Sequence, residues 1–162
     1  MPKNIEPFEI RSQSVRRILR VGSCPVLDVR VTYPCLSIPE GEGEGSTAAV
    51  HRFNEAYREM AEGVLAWAEG DPAASARAAF FAEGEGAAYR FARHVLTCAM
   101  TVAPADAERE EGELWVTRAL SLRVGREEEM ILSESRDVWR LPALTLRAGR
   151  RKNLPFLRGE NE

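Results

Sequence analysis

Arg118, Arg136, Asp137 and Arg140 stand in or at the ends of segments whose alternation otherwise calls for apolar side chains. A guanidinium in such a place serves an ion pair or grips a carboxylate with two parallel N–H donors. The plainer role is a charge on an edge strand that blocks sheet-to-sheet aggregation. His94 shares a predicted strand face with Leu96, Cys98, Met100 and Val102. As a base for a Cys98 nucleophile it is badly placed, because four residues of strand put them ~13 Å apart. Trp67, Trp115 and Trp139, with Tyr33, Tyr57 and Tyr89, supply aromatic surface for core and rim packing or for a groove that stacks a sugar or a peptide side chain. The candidate ligand-binding set is therefore Arg118, His94, Trp115, Trp139, Arg136 and Arg140, with no catalytic residue, metal ligand or cofactor assigned.

Other chemistries find little support. PEGEGEG at 39–45 spaces Glu40, Glu42 and Glu44 with glycines, but it lacks the closing bidentate glutamate of a calcium loop, and its carboxylates would repel a phosphate. It reads as a solvated connection before a helix, where negative charge is mildly favourable. The tetrapeptide EGEG returns at 83–86. Cys24, Cys35 and Cys98 show no CxxC spacing, so reduced thiols are expected rather than a zinc site or a Cys24–Cys35 disulfide. No GxSxG, Walker-type lysine pattern or GxGxxG occurs.

Charge is divided along the 162 residues. Residues 1–30 carry six basic and three acidic groups, 31–142 eleven and twenty, and 143–162 five and two. An acidic body argues against wholesale nucleic-acid binding, which needs a clustered positive surface. The compact basic run Arg147–Lys152 is the one place where RNA contact enters as an alternative. No apolar stretch approaches the ~20 residues of a membrane span, and the first 20 residues lack an apolar signal core. The expectation is a cytoplasmic chain, extracytoplasmic if a leader has been removed.

The elements that must position these groups follow from periodicity. VLDVRVTYP, 26–34, alternates Leu27, Val29, Val31 and Tyr33 against Asp28, Arg30 and Thr32, a strand with one apolar face. ILRVG just upstream extends it or forms a separate short strand. From Ser46 the period lengthens, with Val50, Phe53, Tyr57, Met60, Val64 and Trp67 three or four apart, which predicts a long amphipathic helix capped by Ser46 or Thr47 and ended by Gly70. Asp71-Pro72 opens a second helix, with Asp71 as its cap, an Ala-rich packing face and Phe80 and Phe81 as anchors. Strands are then expected at 88–102, 114–125 (with a bulge or open site at Arg118), MILSESRDVW and a short last one in LPALTLRAG.

The fold class is thus α+β: a two-helix hairpin packed on an antiparallel sheet, in the order β-α-α-β-β-β with an optional last strand. One domain spans 1–162, with 1–20 and 149–162 as less ordered ends.

DVRVTYPCLSI followed by a helix containing VHRFNEAYREM resembles the domain of RsiV-type anti-sigma factors and the non-catalytic domain of PdaC-type peptidoglycan deacetylases. The resemblance rests on a strand ending at Tyr33-Pro34 and a helical Asn with apolar neighbours at Phe53-Asn54, and it extends over ALSLRVG and DVWRLPALTL, roughly residues 24–148. The Gly-Gly-Ala-His segment of that family is missing here. What the resemblance implies is a bacterial, non-catalytic binding module with a protein or cell-wall-derived ligand, in a cell-envelope or sporulation setting. The competing expectation is a small-molecule-binding protein or enzyme with a pocket between helices and sheet.

Overall fold

The structure, a computed structural model, describes residues 9–37, 44–83, 90–104 and 113–140. Five strands and two helical pieces form an α+β fold: β1 (Ile10–Val21), β2 (Cys24–Leu36), α1 (Glu44–Ala68), α2 (Asp71–Ala82), β3 (His94–Pro104), β4 (Glu113–Val124) and β5 (Met130–Arg140). The strands lie side by side in chain order.

Three features differ from the sequence expectation. β1 is a full twelve-residue strand where a less ordered end was expected. Four arginines dilute its apolar residues, and what specifies it is pairing: Val21 faces Cys24 across a two-residue turn, and register runs back to Ile10 opposite Leu36. Gly22 adopts φ 60° in that turn, the positive φ that a twisted two-residue hairpin demands.

Second, α1 and α2 are the two pieces of one bent helix rather than a hairpin. At the joint, the Gly70 amide donates to the Trp67 carbonyl while the Gly70 carbonyl already accepts from Ala74, so the chain barely leaves helical hydrogen bonding. Gly70 is the N-cap of α2 and Asp71 lies in its first turn, which relocates the expected cap by one residue. Because the bent helix carries the chain back along the sheet once, β3 enters parallel to β2, with Leu27 beside His94 and Thr32 beside Ala99. The sheet is consequently mixed. β3, β4 and β5 make the expected antiparallel meander.

Third, the helical stripe drifts. Val50, Phe53 and Tyr57 are buried as expected, but the stripe continues through Ala61, Leu65 and Ala68, leaving Trp67 45% exposed. An α-helix advances 3.6 residues per turn, so seven-residue spacing slips around the axis over six turns. In α2 the close-packing alanines are Ala73 and Ala76. Phe80 packs against the core, whereas Phe81 is exposed. Ser46 and Thr47 fall inside α1, after its start at Glu44.

One face of the sheet holds the core. Leu27, Val29 and Val31 of β2, Leu96, Cys98, Met100 and Val102 of β3, and Leu114 and Val116 of β4 meet the helices with almost no exposure. Asn54 of α1 ties the layers together: its Oδ1 accepts the Leu36 amide at 2.8 Å and its Nδ2 donates to the Leu36 carbonyl at 2.9 Å. Both backbone groups at the end of β2 are thereby satisfied by one side chain. Among the described residues, no helix is long and apolar enough to cross a membrane.

Candidate functional site: an arginine-lined cavity on the open sheet face

The face of the sheet turned away from the helices carries Asp28, Arg30 and Thr32 of β2, which strand alternation sets opposite Leu27, Val29 and Val31. At the end of the sheet near Gly22, a cavity of about 410 Å³ opens on this side. Its walls come from four places in the chain: Arg16, Ile18 and Arg20 of β1, Pro25, Asp28 and Arg30 of β2, Arg90, Phe91 and Ala92 leading into β3, and Val95 and Arg123 across β3 and β4. Five arginines and one carboxylate line it.

The local architecture explains this concentration. Arg16 and Arg30 are direct cross-strand partners, a repulsive pairing by itself. Asp28 resolves it: Arg16 Nε and Nη2 donate to its two oxygens at 2.9 and 2.8 Å, and Arg30 Nε and Nη2 donate to Oδ2 at 3.1 and 2.9 Å. Asp28 is only 5% exposed. Burial pushes its carboxyl up, but the hydrogen bonds from Arg16 and Arg30, with their charges, outweigh burial and hold it below the ordinary carboxylate range. With one carboxylate set against five guanidinia, the cavity lining keeps a net charge of +4.

Arg20 makes a long 3.4 Å contact to the Ser23 carbonyl, and the side chains of Arg90 and Arg123 have no hydrogen-bond or ion-pair partner among the described residues. Phe91, on the cavity wall, is 80% exposed. Nearby Arg93 is engaged elsewhere, pairing with Glu83, while its carbonyl accepts the Gly125 amide at 2.8 Å. Gly125 has φ 62°, and a Cβ there would press on the Arg93 guanidinium, so the β4–β5 turn is fitted closely against the segment that carries Arg90 and Phe91.

The residues singled out from sequence do not converge. Arg118 and Trp139 are on the helix side: Trp139 Nε1 donates to the Tyr57 hydroxyl at 2.7 Å, the Tyr57 hydroxyl donates to Asp137 Oδ2 at 2.9 Å, and Arg118 contacts Met60 Sδ. Phe53 packs against both rings, at 4.8 Å from Tyr57 and 5.1 Å from Trp139. Burial, then the bond to Asp137, pushes the Tyr57 phenol well above its ordinary range. Register is regular at Arg118, opposite Met100 and Ser135, and the irregularity in β4–β5 falls at Leu120/Ser121 instead of at the expected bulge.

Trp115 and Arg136 sit together on the open face, the guanidinium 4.6 Å from the ring centre, and Arg140 pairs with Glu113 at 3.5 Å. They occupy the sheet end remote from the cavity, since eight residues of β4 separate Trp115 from Arg123, ~26 Å of strand. His94 lies at the cavity end but in register with Leu27 on the core side. Burial, with the neighbouring Arg93 charge, lowers its pKa. Burial pushes the Cys98 thiol up, against a smaller opposite effect of Arg118, so it stays protonated. Cys24 and Cys35 are free and at opposite ends of β2, ~36 Å apart along the strand, which rules out the disulfide.

No family model, curated protein or solved structure matches the chain. The cavity therefore has to be read from its own chemistry. No group of three or more metal-binding side chains occurs among the described residues. Glu40 and Glu42 of the glycine-spaced run, the basic run Arg147–Lys152, the expected last strand in LPALTLRAG and the expected less ordered end at 149–162 lie outside the described residues. Sequence reasoning missed the cavity because its arginines are scattered over more than a hundred residues. The one local signal was Asp28-x-Arg30, two charges on one strand face, which becomes a site only when β1 and β3 are known to flank it and β4 to follow.

Proposed function

We propose that the chain is a non-catalytic binding module that holds an anionic group of its ligand in the arginine-lined cavity. The observation that carries this reading is the net charge of +4 gathered on one concave wall of a chain whose overall charge is -3. Guanidinia stay protonated throughout the physiological range, so they bind and orient anions but do not exchange protons with a substrate. Asp28, the one carboxylate on the wall, is held ionised by Arg16 and Arg30, and His94 and Cys98 lie on the core side, with His94 lowered and the Cys98 thiol raised by burial.

Among the described residues the helices and the sheet meet through an apolar core, and the cavity opens on the opposite face, which favours the open sheet over an interlayer pocket. The resemblance of Tyr33-Pro34 and Phe53-Asn54 to the RsiV-type and PdaC-type domain supports the non-catalytic half of the reading. Asn54 has a structural duty in it, clipping the helix to the end of β2.

Thermal unfolding at constant ionic strength, with inorganic phosphate, citrate or benzoate titrated in, tests the reading. A ligand at ~100 times its dissociation constant stabilises by about 2.7 kcal/mol, so at least one of these anions should give a saturable rise in Tm that Arg123→Gln diminishes. Small, non-saturating shifts common to all three anions and to the variant would overturn it.

A further inference from the structure

We propose that the cavity is built for a small phosphate monoester, its dianionic phosphate drawn to Arg20, Arg90 and Arg123 and its organic body lying against Phe91. This rests on the anion-binding reading and names the ligand class within it. Arg16 and Arg30 are already committed to Asp28, through four donor contacts of 2.8–3.1 Å. The three remaining arginines come from β1, from the segment before β3 and from β4, so three separate parts of the chain bring them to the cavity wall.

A carboxylate carries one charge, and its two oxygens offer acceptor sites in a single plane. A phosphate monoester presents three terminal oxygens in a tetrahedral spread and nearly two charges above its second ionisation near pH 6, which matches donors brought from three parts of the chain around an excess positive charge. The volume of about 410 Å³ is in the range of small-molecule sites and leaves room beyond the phosphate. Ile18, Pro25 and Val95 add apolar side chains to the lining, and Phe91, 80% exposed, adds an aromatic ring. A polynucleotide fits less well, because the positive surface is local and residues 31–142, which make up most of the chain, carry twenty acidic against eleven basic groups.

Isothermal titration calorimetry on the full chain decides the matter, with phenyl phosphate, inorganic phosphate, phenyl sulfate, benzoate and oligouridylates of increasing length as probes. Phenyl phosphate should bind one to one and tightest of the five, with affinity rising between pH 5 and 7 as the second phosphate proton leaves. Arg123→Gln and Arg90→Gln should each weaken it by about tenfold, the worth of one charge-assisted contact. Phe91→Ala should reduce phenyl phosphate to the level of inorganic phosphate while leaving the latter unchanged. Circular dichroism confirms that each variant is folded, and the second arginine variant keeps the test intact if one is not.

Phenyl sulfate or benzoate binding as tightly as phenyl phosphate, with the same dependence on Arg123, would overturn the phosphate assignment and leave the anion-binding module standing. Affinity that grows with oligouridylate length and exceeds that for phenyl phosphate would overturn the small-ligand assignment. Absence of binding by every probe would remove both readings.

Discussion

Asp28→Asn separates the two jobs of the arginine cluster, because the residue stabilises the fold while neutralising part of the site. The wild-type carboxylate is 5% exposed and accepts four N–H donors from Arg16 and Arg30. Asparagine keeps the shape, but its oxygen can serve only one guanidinium, and its amide turns donors toward the other. A buried charge-assisted hydrogen bond contributes about 1.5–3 kcal/mol net, and breaking a fully buried ion pair costs about 3–5 kcal/mol. Here the arginine side chains are 56% and 51% exposed and regain water once released, so the cost falls to the low end, about 2 kcal/mol. In a chain of this size that is a Tm lower by roughly 4–8 °C.

The pH dependence carries a definite sign. Asp28 has a folded pKa below its unfolded value, so its contribution is fully present above the unfolded pKa near 3.9 and is lost as pH falls through the folded pKa. The stability gap between wild type and Asp28→Asn, measured by urea unfolding, should be flat from about pH 5 to 8 and close below about pH 4. At the same time the lining gains one unit of positive charge. One added charge ~8 Å from a bound phosphate dianion, at an effective dielectric constant of ~40, is worth about 2 kcal/mol, or roughly thirtyfold in affinity. Asp28→Asn should therefore unfold more easily yet bind phenyl phosphate more tightly. A variant within 0.5 kcal/mol of wild type, or one whose anion affinity drops, would refute the reasoning.

Asn54→Ala should lose about 2 kcal/mol in urea unfolding, because the Leu36 amide and carbonyl both lose their partner; full stability would mean that the clip is dispensable. Tyr57→Phe should cost about 1 kcal/mol by removing the hydroxyl between Trp139 and Asp137, and should leave anion affinity unchanged because that cluster is on the helix side. With an Ellman-type thiol reagent at pH 8, Cys24 and Cys35 should react promptly and Cys98 only at the rate of opening, since Cys98 is buried with its pKa raised. Three equally fast thiols would contradict that placement.

What could be read from sequence depended on how locally it was encoded. The strand around Leu27, Val29 and Val31 and the helix stripe through Val50, Phe53 and Tyr57 show their period in a dozen residues, and both are where they were expected. Only the end of β1, in ILRVG, was legible, because Arg11, Arg16, Arg17 and Arg20 mask the alternation of the rest, whose strand character resides in pairing with β2. The parallel entry of β3 depends on how α1 joins α2 at Gly70, a property of two residues that no periodicity reports. Alternation flagged Arg118, Arg136, Asp137 and Arg140 as out of place; of these, Arg118 and Asp137 join Trp139 and Tyr57 in a polar seam between α1 and the end of the sheet, while Arg136 and Arg140 pair with Trp115 and Glu113.

The two faces of the sheet thus answer to different demands. On the covered face even the polar groups are spent on joining layers, with Asn54 against Leu36 and Tyr57 between Asp137 and Trp139. On the open face, Arg16 opposite Arg30 would push β1 and β2 apart, and a fold selected for stability alone could replace both with neutral side chains. Retaining the pair requires a buried carboxylate at Asp28, which is itself expensive to desolvate and offers only modest net stability. An arrangement that spends a buried acid to keep two arginines fixed, next to three more on the same wall, is better explained by a ligand that needs a rigid positive surface than by the needs of the sheet. Replacing Arg16, Asp28 and Arg30 together by Thr, Val and Thr should accordingly leave the sheet as stable as before or more so, while weakening phenyl phosphate binding through the loss of one net positive charge from the wall. A stability loss beyond about 2 kcal/mol in that triple variant would show that the cluster serves the fold first.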